Sequence, residues 1–314
     1  MIVAWGAFSI VISIYFCIFA VSAIGGMFTE RSGIVNIGIN GVMIIGAVTY
    51  LVITQIMSKI FPIDIQKSMF WQLLLFPISG LVGMLFSTLL GFATIKLKSD
   101  HTISGFAINL LAFGIALILL IIFGNNTNTP NNNVTEMAAY VEVSGTKFEI
   151  ISLKLVITIL IVIISYLMLY KTAWGLRFRS VGENPNASDV AGINVNSIKW
   201  QGVLISGFLS GLAGSFFAQS SRLSFTGEVN GLGYLALAIM IMGQWNVWLI
   251  TLSSFVYSLL FGLADLSGYV KSVEAFAYLF RTIPYLGTLI MVIIMGKKTR
   301  APAAAGIIYD KSKR

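Results

Sequence analysis

Apolar runs of about twenty residues, separated by short polar clusters, make up most of this chain. A helix rises 1.5 Å per residue, so ~20 apolar residues cross the ~30 Å hydrocarbon core of a bilayer. Runs near 3–24, 36–56, 72–95, 102–123, 151–170, 200–219, 231–244, 247–264 and 281–296 predict about nine spanning helices, with eight to ten as the range. The seventh run is short. It reads either as a half-span or as a segment joined to the eighth through "GQWNVW". The first run lacks a basic segment ahead of it and is too long and too uniformly apolar for a cleaved leader, so a retained span is expected. The predicted fold class is an all-α polytopic membrane protein with one transmembrane domain over 1–300.

Composition agrees. Of 314 residues, 57% are hydrophobic and 10% charged, whereas soluble domains carry about a quarter charged residues. The net charge of +8 would in a soluble protein raise nucleic acid as a partner; here its distribution gives a better account. Alternate loops and the tail place Arg31, Lys96, Lys98, Lys171, Arg177, Arg179, Lys199, Lys297, Lys298, Arg300, Lys311, Lys313 and Arg314 on one side. The other side receives Lys59, Lys67, Lys147, Lys154, Arg222, Lys271 and Arg281. The positive-inside rule makes the first set cytoplasmic. The N-terminus is then outside and the C-terminus inside. The segment 171–199 is a cytoplasmic loop, the Asn-rich 124–150 an exposed, flexible external loop, and 301–314 a basic cytoplasmic tail.

What is missing also narrows the class. No Asp or Glu falls in the core of any span as drawn. A buried charge usually marks a proton or ion path, so a proton-coupled carrier is disfavoured, although sodium coupling through backbone carbonyls stays open. The tail sequence "MGKKTR" lacks the first glycine and strand context of a phosphate-binding loop, so neither ATP nor another cofactor is expected on this chain. Cys17, the single cysteine, reads as a packing residue. His101, the single histidine, has no partners at ligand spacing, so no metal site is expected.

Four stretches carry candidate chemistry. In "ERSGIVNIGINGVMIIGA", 30–47, Asn36 and Asn40 stand four apart and are expected to share one helix face. Two readings remain: glue between helices, or a polar stripe facing a pathway for a hydroxylated solute. Glu30 and Arg31 at the boundary read as a local ion pair. In "SDHTISGFAINLLAFGIA", 99–116, Ser99 or Asp100 caps a helix, and Ser104, Gly105 and Asn109 form a small polar face. Asn109 is positioned to meet Asn36 or Asn40. In "SGFLSGLAGSFFAQS", 206–220, Ser206, Ser210 and Gly214 recur every four residues, as do Gly207 and Gly211, which favours close helix packing. In "GLRFRSVGENPNASDVAGINVNSIK", 175–199, Asn184 is a helix cap, Pro185 fits the first helical position, and Gly192 supplies a stop. A helix of two turns over 185–191 follows, with Asn196 or Ser197 capping the next span. Its face of Asn186, Asp189 and alanines suits a protein groove better than lipid.

Three of these blocks, "ERSGIVNIGINGVMIIGA", "TISGFAINLLAFG" and "GLRFRSVGENPNASDVAGINV", resemble the permease subunits of ATP-binding cassette importers for nucleosides. Those subunits sit within a larger family that also serves simple sugars and branched-chain amino acids. The resemblance covers roughly residues 5–300. It implies a type II-like importer bundle in a bacterial plasma membrane and a short cytoplasmic helix that docks on an ATP-binding subunit. Carried over by position, Glu183, Asn184, Pro185, Ala187, Asp189 and Gly192 are the coupling residues. Asn36, Asn40, Ser104 and Asn109 are the pathway candidates. The pattern commonly has an acidic residue where this chain has His101. The implied partners are the ATP-binding subunit holding ATP and Mg, a second permease chain, identical or related, an extracytoplasmic substrate-binding lipoprotein, and membrane lipid. Nucleic acid is not among them. A ribose-like or other simple-sugar permease is the nearest alternative, and an ion-coupled secondary transporter the alternative of another class.

Overall fold

A computed structural model describes residues 2–123, 134–143, 146–220, 225–266, 277–295, 299 and 301–309. In chain order the helices are α1 (Ile2–Arg31), α2 (Ile39–Ile60), α3 (Ile63–Gln66), α4 (Trp71–Gly91), α5 (His101–Phe123), α6 (Leu153–Lys171), α7 (Ala173–Glu183), α8 (Pro185–Val190), α9 (Val195–Ser220), α10 (Leu232–Met242), α11 (Val247–Leu266) and α12 (Ala277–Met295). A π-helical turn, Phe92–Lys96, extends α4, and two strands, β1 (Ala138–Val143) and β2 (Thr146–Ser152), precede α6.

Seven helices among the described residues are long and apolar enough to cross a membrane. These are α1, α2, α4 with its π turn, α5, α6, α9 and α11. The short seventh run is α10, whose 11 residues span about 16 Å, half a hydrocarbon core. It is separate from α11: Gln244 and Trp245 sit at φ of 52° and 53° in the turn between them. The last expected span falls on α12.

α9 lies at the centre because its residues are small. It packs on α1, α2 and α4. A Cβ on Gly83 of α4 would stand 2.7 Å from both the Gly207 carbonyl and Gly211 Cα, so these two backbones touch. The periodic small face read in 206–220 therefore is a packing face. The periphery has the opposite character. Leu85, Leu110, Ile121, Leu160 and Leu252 project outward and uncovered; apolar surface this continuous is covered by lipid rather than water. Cys17 is fully buried in the apolar core.

Two expectations change. The fold is not purely helical, because β1 and β2 pair antiparallel from Ala138↔Ser152 to Val143↔Thr146, with a bulge between Ala139 and Tyr140. The alternating "AAYVEV" and "KFEIIS" carry a strand pattern that the neighbouring asparagines obscured. The described part of the expected external loop is also tied down. Gln72 Nε2 donates to Thr135 O at 2.8 Å and Ser13 Oγ to Glu149 at 2.8 Å. Buried Lys154 pairs with Glu136 and donates to Ser220 Oγ at 2.6 Å. Positions 124–133 and 144–145 of that loop lie outside the described residues.

Candidate functional sites: an end-facing helix and an interior amide cluster

The segment between α6 and α9 begins with a helix the sequence reading missed. Thr172 Oγ1 accepts from Gly175 N at 3.0 Å and starts α7. α7 is amphipathic. Phe178 is fully buried and meets Phe28 of α1 edge to face, with centroids 5.9 Å apart. Trp174 Nε1 donates to Gln201 of α9 at 2.7 Å. At its last turn Gly182 leaves no room for a side chain, which would overlap the Arg31 carbonyl. Arg179 lies 5.0 Å from the centre of the Tyr170 ring, a cation–π contact.

α8 then forms as expected. Asn184 Oδ1 accepts from Ala187 N at 3.0 Å, and Pro185 occupies the first turn. The helix ends at Val190, one residue short of the predicted end, and Gly192 turns the chain at φ 82°. Pro185 and Ser188 are buried against the rest of the chain. Glu183, Asn184, Asn186 and Ala187 face outward, Asp189 is half-buried, and Gly192 is exposed. Val190 is 77% exposed, so the free face carries one bare aliphatic side chain beside its polar ones. The next cap is Asn194, which accepts from Ser197 N at 3.1 Å. It is not Asn196 or Ser197, because α9 starts one turn earlier than its apolar run does.

Of the three interior asparagines, Asn40 and Asn109 sit where α2, α5 and α10 meet, while Asn36 bonds to α1 and α9. α1 continues to Arg31, the chain breaks over 32–38, and α2 begins at Ile39. Asn36 therefore lies in the break and Asn40 in the helix, so the expected shared face does not exist. Asn36 Nδ2 donates to Ser206 Oγ of α9 at 3.1 Å, while its buried Oδ1 has no hydrogen-bond partner among the described residues. Asn40 Oδ1 accepts from Gly233 N at the start of α10, 3.2 Å away. Asn109 does not meet Asn36 or Asn40. Its Oδ1 accepts from Gly41 N at 2.7 Å, and its Nδ2 donates to Ile37 O and Tyr234 Oη, each at 3.0 Å. Ser104 makes local bonds with Ser99 Oγ and the Asp100 carbonyl, apart from the three amides. Asp100 is the cap of α5, accepting from Thr102 and Ile103 N. His101 Nδ1 accepts from Val35 N at 3.3 Å and so fastens the break to α5.

Sequence reading also missed Trp245. Glu30 and Arg31 do not pair with each other. Glu30 accepts from Trp245 Nε1 at 2.7 Å, and Arg31 donates to Trp245 O at 3.0 and 2.8 Å. Because α1 runs seven residues past its expected end, Glu30 sits buried in the last turn of a spanning helix and needs a donor. The α10–α11 turn supplies it. Among the described residues no group of three His, Cys, Asp or Glu is placed to hold a metal.

A bundle with seven membrane-length helices, a short buried α10 and an end-facing capped helix is the architecture of a multi-pass membrane permease. The family described as "Branched-chain amino acid transport system / permease component" matches residues 9–295, and the chain belongs to that family. It is 37% identical over 300 residues to the nucleoside ABC transporter permease protein NupC of Lactococcus lactis, covering 93% of each chain. It is 33% identical over 311 residues to the guanosine ABC transporter permease protein NupQ of Bacillus subtilis, again covering 93% of each. A more distant relative is the putative glucose ABC transporter permease protein TsgC13 of Haloferax volcanii, 26% identical over 76% of this chain and 71% of the relative. No solved structure matches the chain.

Proposed function

We propose that this chain is the membrane permease subunit of an ATP-driven importer for nucleosides, with ATP and Mg bound by a partner subunit. The observation that carries this is full-length similarity to two permeases named for nucleoside and guanosine transport. The likeness to the putative glucose permease is weaker and shorter, which places simple sugars second. In this reading the end bearing α7 and α8 is cytoplasmic, which the Lys and Arg distribution supports. Two permease chains enclose one pathway, and an extracytoplasmic binding lipoprotein delivers the solute.

α8 is the coupling element, with Glu183, Asn184, Pro185, Ala187, Asp189 and Gly192 presenting or shaping its free face. Its motion has a rigid route inward. α7 abuts the end of α1 at Gly182 and Arg31, α1 grips the α10–α11 turn through Trp245, and the break after α1 carries Asn36. The Asn36, Asn40 and Asn109 cluster lies on the pathway. Asn36 Oδ1 is the acceptor a solute hydroxyl would meet, because leaving it unpaired in an apolar interior is costly. Ser104 contributes from the α5 side.

The test is uptake of labelled nucleosides by vesicles holding the whole complex, with and without ATP. The reading expects ATP-dependent uptake that excess nucleoside competes away and excess ribose does not. Competition by ribose alone would move the assignment to simple sugars. Uptake that follows an ion gradient without ATP would replace it with a secondary carrier.

A further inference from the structure

The C-terminal segment looks in the sequence like a basic tail that merely fixes orientation. In the structure, residues 301–309 fold back against the α7–α8 junction and the α1–α2 break. Ala304 N donates to Gly182 O at 2.8 Å, Gly306 N to Gly33 O at 3.3 Å, and Ala303 N to the Glu183 carboxylate at 3.4 Å. The buried Lys199 of α9 donates its ammonium to Ile307 O at 3.4 Å.

The fit is constrained on both sides. Ala304 is 3% exposed, so a larger side chain has nowhere to go. Gly306 and Gly33 hold φ values of 79° and 90°, which other L-residues rarely adopt. A Cβ on Gly33 would come 3.3 Å from Ala304 O. The two carbonyls gripped, at 182 and 33, belong to the last turn of α7 and to the turn that ends α1. Without the segment, α7 would hold the break through its packing on α1 and, indirectly, through α9, which Trp174 and Asn36 both reach.

We infer that residues 301–309 are a positioning strap, joining the base of α8 to the α1–α2 break so that the two move as one body. The strap touches neither ATP nor solute; its role rests on the importer reading only insofar as that motion drives transport.

Three full-length variants test it. Ala304→Arg removes the seat and Gly306→Val strains the backbone, whereas Ala304→Gly keeps both the space and the N–H donor. In the complete complex the first two should assemble and hydrolyse ATP, while uptake per ATP falls about tenfold, the scale on which coupling contacts act. Ala304→Gly should match the parent. Separately, in the purified chain, amides of 180–193 and 33–36 should exchange hydrogen faster in Ala304→Arg and Gly306→Val. Unchanged exchange, or a lowered melting temperature with uptake per ATP intact, would overturn the strap. If the parent complex shows no ATP-dependent nucleoside uptake, the importer reading fails, and the exchange arm still decides the strap.

Discussion

The chain has two polar regions, and they are built in opposite ways. α8 makes its polar contacts close by in the chain: Asn184 caps Ala187 three residues on, and Ser188 Oγ bonds the Asn184 carbonyl and Ser180 Oγ of α7, eight residues back. The interior amides reach across the sequence. Asn109 bonds to Gly41, 68 positions away, and Asn40 to Gly233, 193 away. A helix whose bonds stay within α7 and α8, seated on two buried residues, can be pushed together with α7 without unmaking the bundle. Amides that join three helices cannot be altered without loosening all of them. The difference separates a surface proposed to receive force from amides that hold helices together while lining the proposed pathway.

Mutations sharpen this contrast. The largest effect is expected for Asn109→Leu. It strands buried Gly41 N–H and takes the donor from Ile37 O, and a stranded buried group costs about 1–3 kcal/mol; the exposed Tyr234 also loses a bond to Asn109. Thermal unfolding in detergent should show a lowered midpoint, and unchanged stability would show that these bonds are dispensable. Asn40→Leu strands only Gly233 N–H, a loss of about 1–3 kcal/mol in all. Transport assays beside size-exclusion chromatography should find uptake impaired more than assembly; loss of assembly alone would make Asn40 glue and nothing more. Asn184→Ala is the smallest of the three, removing a cap worth about 1 kcal/mol. Amides of α8 should exchange faster while the global melting midpoint stays in place. A shift of the global midpoint would mean that α8 is not a separable unit.

The same contrast explains what could be read without coordinates. α8 was legible because capping is local chemistry: Asn184, Pro185 and Gly192 declare the helix within nine residues. The small face of α9 was legible too, since its period appears in one stretch. The break before Ile39 was not: "SGIVNIG" holds one stop signal, Gly33, which ends α1 at φ 90°, but the apolar run ahead of it fades several residues earlier. Its geometry comes from distant partners, His101 on Val35 and Ser206 on Asn36. Trp245 escaped notice for the same reason: its meaning depends on Glu30, 215 positions away. α7 hid because its apolar residues number too few to register against membrane spans, and the hairpin because asparagines flank it.

The central claim is that α8 receives the force of ATP hydrolysis in a partner. The most direct measurement is ATP hydrolysed per nucleoside taken up, together with binding of the ATPase subunit, for Glu183→Ala and Pro185→Gly in the reconstituted complex. Glu183 is exposed, and Pro185, though buried, belongs only to the first turn of the six-residue α8, so the bundle should persist. The account predicts weaker subunit binding or a raised ATP cost per nucleoside in each variant. Binding and stoichiometry equal to those of the parent in both would contradict it.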